Sequence, residues 1–352
     1  MKVLVINPGA TSTKVSVFDE ENEVFKLKLE HSAQDVSAYK NIVDQMPMRR
    51  DLILAGLEEN GWKLTDFDAV CGRGGLFKPI PSGTYLVDDD VLADIKVAKY
   101  GEHAANLGSY LAKELADRAG IPAFFVDPVC VDELQPIARV TGLKGLEWRS
   151  LFHALNQKAV ARKAAKQLGK KYEELNLIVV HLGGGVSVAA HEKGQCVDVY
   201  NVKENGAMGL DRGGALPDLG IVELCYSGKT KAEVKKILST QAGVYSYLGT
   251  TDFREVEDRA FKENDEYALF IFRALAYQLA KDIGAMSAVL KGDVDAIVLT
   301  GGMAYCKPFV EEISSYVKKI AQILVFPGEE EMRSLAEGAL RVLHGEPAKH
   351  YN

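Results

Sequence analysis

No apolar stretch in this 352-residue chain reaches the ~18 residues that a membrane-crossing helix needs, so a membrane protein is not expected. Met1-Lys2 leads straight into Val3-Leu4-Val5-Ile6, which leaves no leader peptide to anticipate. Cysteine is scarce. Cys71, Cys130, Cys196, Cys225 and Cys306 form an odd, scattered set without C-x-x-C spacing, which reads as reduced buried thiols in a cytoplasmic protein. Positive charge is not in excess either. The formal net charge is −7 and no segment gathers Lys and Arg with aromatics, so nucleic acid is not expected as the main ligand. A small anionic substrate remains open, because individual arginines decide that. Low-complexity segments and obvious linkers are also missing. With 47% hydrophobic and 26% charged residues, the chain reads as about two soluble domains with a soft junction near residue 150.

The first fourteen residues are the most informative part of what is present. Val3-Leu4-Val5-Ile6 reads as a buried strand that ends in Asn7-Pro8-Gly9-Ala10-Thr11-Ser12-Thr13-Lys14, and Val15-Ser16-Val17-Phe18 resumes as a second strand. A hairpin turn of this composition aims backbone N–H groups, the hydroxyls of Thr11 and Ser12, and the Lys14 ammonium at one spot, which suits a phosphate chain. A second copy lies at mid-chain, where Leu177-Ile178-Val179-Val180 runs into His181-Leu182-Gly183-Gly184-Gly185 and then Val186-Ser187-Val188. Gly9 and Gly183 are 174 residues apart, close to half the chain. A chance hairpin accounts for either copy alone. The matched pair points to a duplicated fold with a phosphate clamped in a cleft between the halves.

Both halves then alternate helices and strands, which predicts an α/β architecture. In the first half, strands are expected near 2–7, 14–19, 24–30, 69–71 and 121–126. Helices are expected near 37–46, 49–60, 89–98 and 103–119. In the second half, a helix near 153–168 precedes strands near 176–181, 186–191, 196–200 and 295–299. The longest helix, about 265–290, carries Ala268, Leu269, Phe272, Leu275, Ala276, Leu279 and Ile283 at helical spacing, a stripe suited to core or subunit contact. The predicted domains are 1–150 and 151–332, with a terminal helix within 333–352 returning to the first.

Several short motifs carry chemistry. Gly228-Lys229-Thr230 imitates the end of a Walker-type loop. The glycine required five positions before the Gly-Lys pair is Glu223, so a helix N-terminus is the better reading. Gly72-Arg73-Gly74-Gly75 and Asp211-Arg212-Gly213-Gly214 each put a planar guanidinium on a backbone that can approach an anion closely. Asp127, before Pro128 at a strand end, is either a turn residue or a Mg²⁺ carboxylate. His153 beside Phe152, His103 and His181, each taken alone, read more readily as structural than as site residues. Thr300-Gly301-Gly302 is a strand-to-helix turn or a close passage beside a nucleotide, and Glu329-Glu330-Glu331 reads as a solvated helix start.

Taken in order along nearly the whole chain, these motifs, with Asp252-Phe253-Arg254 and Phe326-Pro327-Gly328, resemble the acetate and butyrate kinases of the actin-like, sugar-kinase and Hsp70 ATPase superfamily. The likeness is closest to the butyrate kinase branch, through Gly72-Arg73-Gly74-Gly75-Leu76-Phe77-Lys78-Pro79 and the run from Gly328 to Met332. It implies two actin-like (ribonuclease H-like) domains, and reversible phosphoryl transfer between ATP and a short-chain carboxylate to give an acyl phosphate and ADP with Mg²⁺. By the same resemblance, Asn7 with Thr11, Ser12 and Lys14 contacts the phosphate chain, and Arg73 and Arg212 hold the carboxylate and the transferring phosphoryl group. His153 and His181 steady that group's oxygens or line the phosphate path, and Asp127 and Glu331 position Mg²⁺. Gly183, Gly184, Gly185, Asp252, Phe253, Arg254, Gly301 and Gly302 surround the nucleotide. Gly74, Gly75, His103 and Phe152 line the acyl pocket, and a homodimer or larger homo-oligomer is implied.

The chemistry is coherent. A carboxylate is already ionised at neutral pH, so its attack needs no general base, and the sequence shows no nucleophile–base pair. What remains is to hold two anions in line and spread the charge. Two departures from acetate kinases stand out. Gly74 and Gly75 replace bulky aliphatic residues, which is expected to widen the acyl pocket toward C4–C5 acids. Gly184 replaces an asparagine, leaving backbone N–H groups to serve alone. The rival readings are an acetate or propionate kinase, a sugar kinase with Asp127 as base, and a nucleotide-dependent regulator in which Arg73 and Arg212 have no task.

Overall fold

A computed structural model describes residues 1–351 and resolves the chain into two compact units, Met1–Asp132 with Glu330–Asn352, and Glu133–Glu329. The first unit runs β1 (Lys2–Pro8), β2 (Ser12–Asp19), β3 (Asn22–Glu30), α1 (Ala33–Ser37), α2 (Met46–Glu59), β4 (Ala69–Arg73), β5 (Thr84–Leu86), α3 (Asp89–Lys96), α4 (Asn106–Ala119) and β6 (Ala123–Val126). The second holds α5 (Ala154–Gln167), β7 (Asn176–Leu182), β8 (Val186–Glu192), β9 (Gln195–Tyr200), α6 (Asp218–Cys225), α7 (Lys231–Thr240), α8 (Gly243–Leu248), α9 (Phe253–Phe261), α10 (Glu266–Val289), β10 (Ala296–Gly301), α11 (Lys307–Val317) and β11 (Gln322–Pro327). Helix α12 (Glu331–Leu343) then packs on the first unit's sheet.

The sheets share one topology. In order they read β3-β2-β1-β4-β6-β5 and β11-β10-β7-β8-β9. In each, an antiparallel meander of three strands opens the unit, and its first strand then pairs in parallel with a fourth, which pairs in parallel with a fifth. The added β5 lies antiparallel on the far edge of the first sheet. The two glycine turns are therefore equivalent hairpin tips.

Strand alternation decides what each hairpin presents. On β7, Ile178, Val180 and Leu182 enter the core shared with α10, while Leu177 and Val179 enter the core shared with α5. Period-2 alternation puts His181 on the α5 face. In the first unit Leu4 and Ile6 belong to the α4 core, which leaves Asn7 on the opposite face. That face takes α12, where a Cβ on Gly338 would fall 2.5 Å from Val126 of β6. On the α4 face, a Cβ at Gly72 would lie 2.0 Å from the Gly108 carbonyl oxygen. Strand and helix backbones touch there, and this contact fixes the strand end that carries Arg73.

Three expectations change. The helix near 37–46 is broken. Ser32 caps the short α1, Ala38–Asn41 is turn, and α2 begins anew at Met46 with Pro47 in its first turn, where its missing N–H costs nothing. Strand β11 escaped the sequence reading because it is a half-exposed edge strand without clean alternation. Cys225, expected buried, is exposed, whereas Cys71, Cys196 and Cys306 are buried. The α10 stripe is core: Ala268, Phe272, Leu275, Ala276, Leu279 and Ile283 are all buried. Thr230 caps α7 in a box with Glu233, which accounts for the Gly-Lys-Thr sequence before it. Among the described residues no helix is long and apolar enough to cross a membrane.

Candidate active site

In the first unit three separately predicted residues meet. Asn7 Nδ2 donates to Glu331 Oε2 at 2.9 Å, Arg73 Nη1 pairs with Glu331 Oε1 at 2.7 Å, and Asn7 Oδ1 accepts from Arg73 Nη1 at 3.4 Å. The end of β1, the end of β4 and the first residue of α12 supply them, so the cluster needs three chain segments in place. Lys14 is exposed on β2 directly opposite Asn7 in the ladder, and Ser12 and Thr11 occupy the adjoining hairpin tip.

Beneath that tip lies a residue the sequence reading missed. Arg49 of α2 is fully buried, with donors to the carbonyls of Gly9 (2.9 Å), Ala10 (3.0 Å) and Ser12 (3.1 Å), to Thr13 Oγ1 (3.0 Å) and to Gln45 Oε1 (2.9 Å). Burial lowers its pKa from the ordinary value. It thereby holds the carbonyls of Gly9, Ala10 and Ser12 from one side and braces the hairpin tip. Nothing in a Met-Arg-Arg helical stretch marks one arginine as interior.

Asp127 is buried at the end of β6 with φ of 37°, and its Oδ1 accepts from Ser82 Oγ at 2.6 Å and Gly83 N at 2.7 Å. It is thus already an anchor for the turn before β5. Among the described residues no three His, Cys, Asp or Glu side chains converge as a metal cage would require. Magnesium held with a nucleotide needs only one or two carboxylates beside the phosphates, and Asp127 and Glu331 are donors of that hard-oxygen type.

The space at Gly74 and Gly75 is filled, contrary to expectation. A Cβ on Gly74 would sit 2.6 Å from Pro128 Cβ and 3.3 Å from Phe77 and Phe125, and one on Gly75 would sit 2.0 Å from Asn106 Oδ1. These glycines admit neighbouring side chains and open no acyl pocket by their own vacancy. His103 is exposed and accepts from Ala105 N at 3.1 Å, just before α4. Phe152 is 2% exposed, with its ring edge-on to His191.

The second unit gathers the rest. His153, at the N-cap of α5, stacks on His181 with ring centroids 3.7 Å apart and planes 13° from parallel. His181 Nδ1 faces Asn156 Oδ1 at 2.7 Å, and its Nε2 lies 3.3 Å from Glu329 Oε1. Asn156 aims its amide N–H at the Glu329 carbonyl (3.3 Å), so its oxygen faces the imidazole and Nδ1 of His181 carries a hydrogen. Around the hairpin tip, a Cβ on Gly183 would fall 2.8 Å from His181 Nε2, and one on Gly185 would fall 2.3 Å from Arg212 Nη1. Leu210 N donates to the Gly184 carbonyl (3.1 Å), which ties the Arg212 loop to the tip.

Beside these groups opens a cavity of about 650 Å³. Gly183, Gly184, Asp252, Phe253, Arg254 and Gly302, six of the residues assigned to the nucleotide, line it. That volume falls in the range of small-molecule and cofactor sites. Asp252 caps α9, Arg254 is exposed and paired back to Asp252, and Phe253 stacks on Phe272 in the core. Gly301 has φ of 90°, and a Cβ there would lie 2.3 Å from the Leu182 carbonyl oxygen; only glycine lets β10 turn away at this point. A thiol also lines the cavity, but burial pushes Cys306 up to about 12, so it stays protonated.

One pairing departs from the sequence reading. Ser187 Oγ lies 2.9 Å from His153 Nδ1, the geometry of a nucleophile and base. Ser187 is only 1% exposed, however, and Gln157 Nε2 also donates to its oxygen at 2.9 Å, so it supports the imidazole and does not meet a substrate. Asn156, Gln157 and Ser187 all escaped the sequence reading. A polar residue alternating into an apolar strand, and two amides inside an alanine-rich helix, were the available signals.

Twin sheets of one strand order, each closed by a glycine-rich hairpin, with a cavity of cofactor size beside the second, define an α/β protein of actin-like fold. A family model described as the Acetokinase family matches residues 146–326, just over half of the chain, and the chain belongs to that family. It is thereby a carboxylate phosphotransferase that uses ATP. The fold is similar to that of acetate kinase from Porphyromonas gingivalis, at TM-score 0.81 and 20% identity over 97% of this chain and 99% of that one. It is also similar to a propionate kinase from Francisella tularensis subsp. tularensis SCHU S4, at TM-score 0.76 and 19% identity over 96% and 98%. A ROK family protein from Streptococcus pneumoniae TIGR4 matches more loosely, at TM-score 0.52 and 12% identity over 98% and 100%.

Proposed function

We propose that the protein catalyses butanoate + ATP ⇌ butanoyl phosphate + ADP by direct in-line attack of the ionised carboxylate on the γ-phosphorus. The observation that carries the phosphoryl-transfer site is the convergence of six assigned nucleotide residues on one cavity beside the His153–His181 pair and Arg212. Adenosine occupies that cavity. Asn7, Thr11, Ser12 and Lys14 attend the phosphate chain, and Arg73 and Arg212 hold the acceptor carboxylate and the phosphoryl group in transit. His153 donates to its equatorial oxygens, and His181 lines the phosphate path. Asp127 and Glu331 would hold a Mg²⁺ ion, which would supply charge neutralisation on the phosphates. Arg73, paired with Glu331 in the resting protein, turns to the anion when it binds.

The preference for butanoate rests on the likeness of Gly72–Pro79 and Gly328–Met332 to butyrate kinases. The filled space at Gly74 and Gly75 favours a second reading, in which acetate or propionate is the better acceptor. Hydroxamate trapping of acyl phosphate with ATP, Mg²⁺ and C2 to C5 acids separates them. If the longer chain is buried, each CH₂ raises kcat/KM roughly fourfold. Acetate equalling or exceeding butanoate overturns the chain-length assignment, and no hydroxamate from any acid overturns the reaction.

A further inference from the structure

A continuous hydrogen-bonded chain runs through the interior of the second unit and ends on His153. Tyr172 Oη meets His191 Nδ1 at 2.6 Å, and His191 Nε2 meets Gln157 Oε1 at 3.0 Å. Gln157 Nε2 reaches the Ser187 carbonyl at 3.1 Å and Ser187 Oγ at 2.9 Å, and Ser187 Oγ meets His153 Nδ1 at 2.9 Å. Gln157, Ser187 and His191 are each no more than 1% exposed, so bulk water does not reach them.

Polarity propagates along this chain. A main-chain carbonyl only accepts, so the Gln157 group facing it is the NH₂, and the amide oxygen faces His191. His191 must then carry its hydrogen on Nε2. Burial, with Lys158 and Arg162 nearby, pushes this imidazole well below the ordinary histidine range, so it is neutral. Its Nδ1 therefore accepts from the Tyr172 hydroxyl. At the other end, Ser187 Oγ receives a hydrogen from Gln157, and the main-chain N–H of His153 also points at it from 3.5 Å. The Ser187 hydroxyl hydrogen is directed to the acceptor its geometry offers, Nδ1 of His153.

We infer that the Tyr172–His191–Gln157–Ser187 chain is a positioning device that locks neutral His153 as the Nε2–H tautomer, making Nε2 a fixed hydrogen donor to the phosphoryl group. The lock matters because an unprotonated Nε2 would turn a lone pair toward anionic oxygens and repel them. His181 presents an Nδ1–H to Asn156 whereas His153 accepts at Nδ1 from Ser187, so the two stacked rings differ in what their Nδ1 atoms do. The inference rests on the proposed function for the role of the donor, and on this interior alone for the tautomer.

The test is ¹⁵N NMR of the full-length protein with labelled histidine rings, in alkaline buffer without substrates, with His153→Asn assigning the signals. The expected spectrum shows a protonated Nε2 and a pyridine-like Nδ1 for His153. Gln157→Glu places an acceptor toward Ser187, which reclaims the hydroxyl hydrogen and switches His153 to Nδ1–H. Ser187→Ala, needed if the buried carboxylate prevents folding, removes the Nδ1 partner and gives a tautomer mixture. Either variant is expected to lower kcat at least tenfold with KM for the nucleotide nearly unchanged. An Nδ1–H signal in the wild type, or a spectrum unaltered by Ser187→Ala, overturns the lock. Full kcat in His153→Ala, with the wild-type tautomer as expected, overturns the donor role while leaving the lock intact.

Discussion

His153 and His181 lie face to face, 3.7 Å between ring centroids, although one caps a helix and the other ends a strand. The same relationship recurs in the first unit with different chemistry. There Glu331, the first residue of α12, bonds to Asn7, the penultimate residue of β1. His181 is likewise the penultimate residue of β7. In both units the helix that roofs the meander face starts beside the residue just before the hairpin tip. Duplication thus made two equivalent contacts, one of which became a cationic and carboxylate latch and the other a pair of imidazoles.

The histidine pair depends on Asn156, whose oxygen faces His181 Nδ1 at 2.7 Å. Asn156→Ala leaves a buried donor without its acceptor, at a cost of about 1–3 kcal/mol. Freed of that partner, His181 is expected to tilt off His153. A kcat at least tenfold lower, measured on protein whose circular dichroism matches wild type, is the expected result. Unchanged kcat would show that the stack does not depend on this amide.

Adjacent glycines at the second hairpin tip should respond in opposite ways. Nothing lies within 4 Å of a Cβ built on Gly184, whereas one on Gly185 would lie 2.3 Å from Arg212 Nη1. Gly184→Asn is expected to fold normally and, if the tip meets phosphate, to lower KM for ATP a few-fold through its added amide. Gly185→Ala is expected to push Arg212 aside and cut kcat by tenfold or more. Steady-state kinetics of both variants check the pair, and equal effects would count against it.

Patterning made the hairpins, the parallel strands and the α10 core legible, because Val3–Ile6 and Leu177–Val180 are buried and α10 buries its apolar stripe. Glycine turns and the arginines beside them likewise showed in the sequence, since small residues flanking a guanidinium are rare without cause. What stayed hidden was chemistry made by packing. Gly74 and Gly75 read as missing bulk, but Pro128 and Asn106 from distant segments take the space. Arg49 reads as surface, yet five separate acceptors around it make interior burial tolerable. Neither outcome follows from local spacing; each needs the tertiary neighbours.

Arg49 offers a direct test of how the first hairpin is held. Lysine in its place keeps a cation but loses the planar fork, so its three donors on one nitrogen cannot serve all five acceptors. Arg49→Lys is expected to fold with a lower melting temperature, and to raise KM for ATP several-fold. Arg49→Met strands those carbonyls and should cost about 2–4 kcal/mol. Hydrogen exchange at residues 9–13 should quicken in both. Unaltered exchange at the tip would mean that the hairpin holds its shape without the guanidinium.

Asp282 of α10 ties down the segment that leads to Arg212, by accepting from Ala207 N at 2.6 Å. Burial pushes its carboxyl from 3.8 up to about 6. A raised acid binds its proton more tightly in the folded state, so its contribution to stability is full below pH 3.8 and falls as pH rises to about 6. Above that window the protein carries a buried charge, at a cost of up to about 3 kcal/mol. Asp282→Asn keeps an oxygen for Ala207 and removes the charge. Its stability gain over wild type should be near zero at about pH 4, grow between pH 4 and 6, and level off above. Denaturant melts across that range measure the difference directly, and a gain independent of pH would place the raised carboxyl elsewhere.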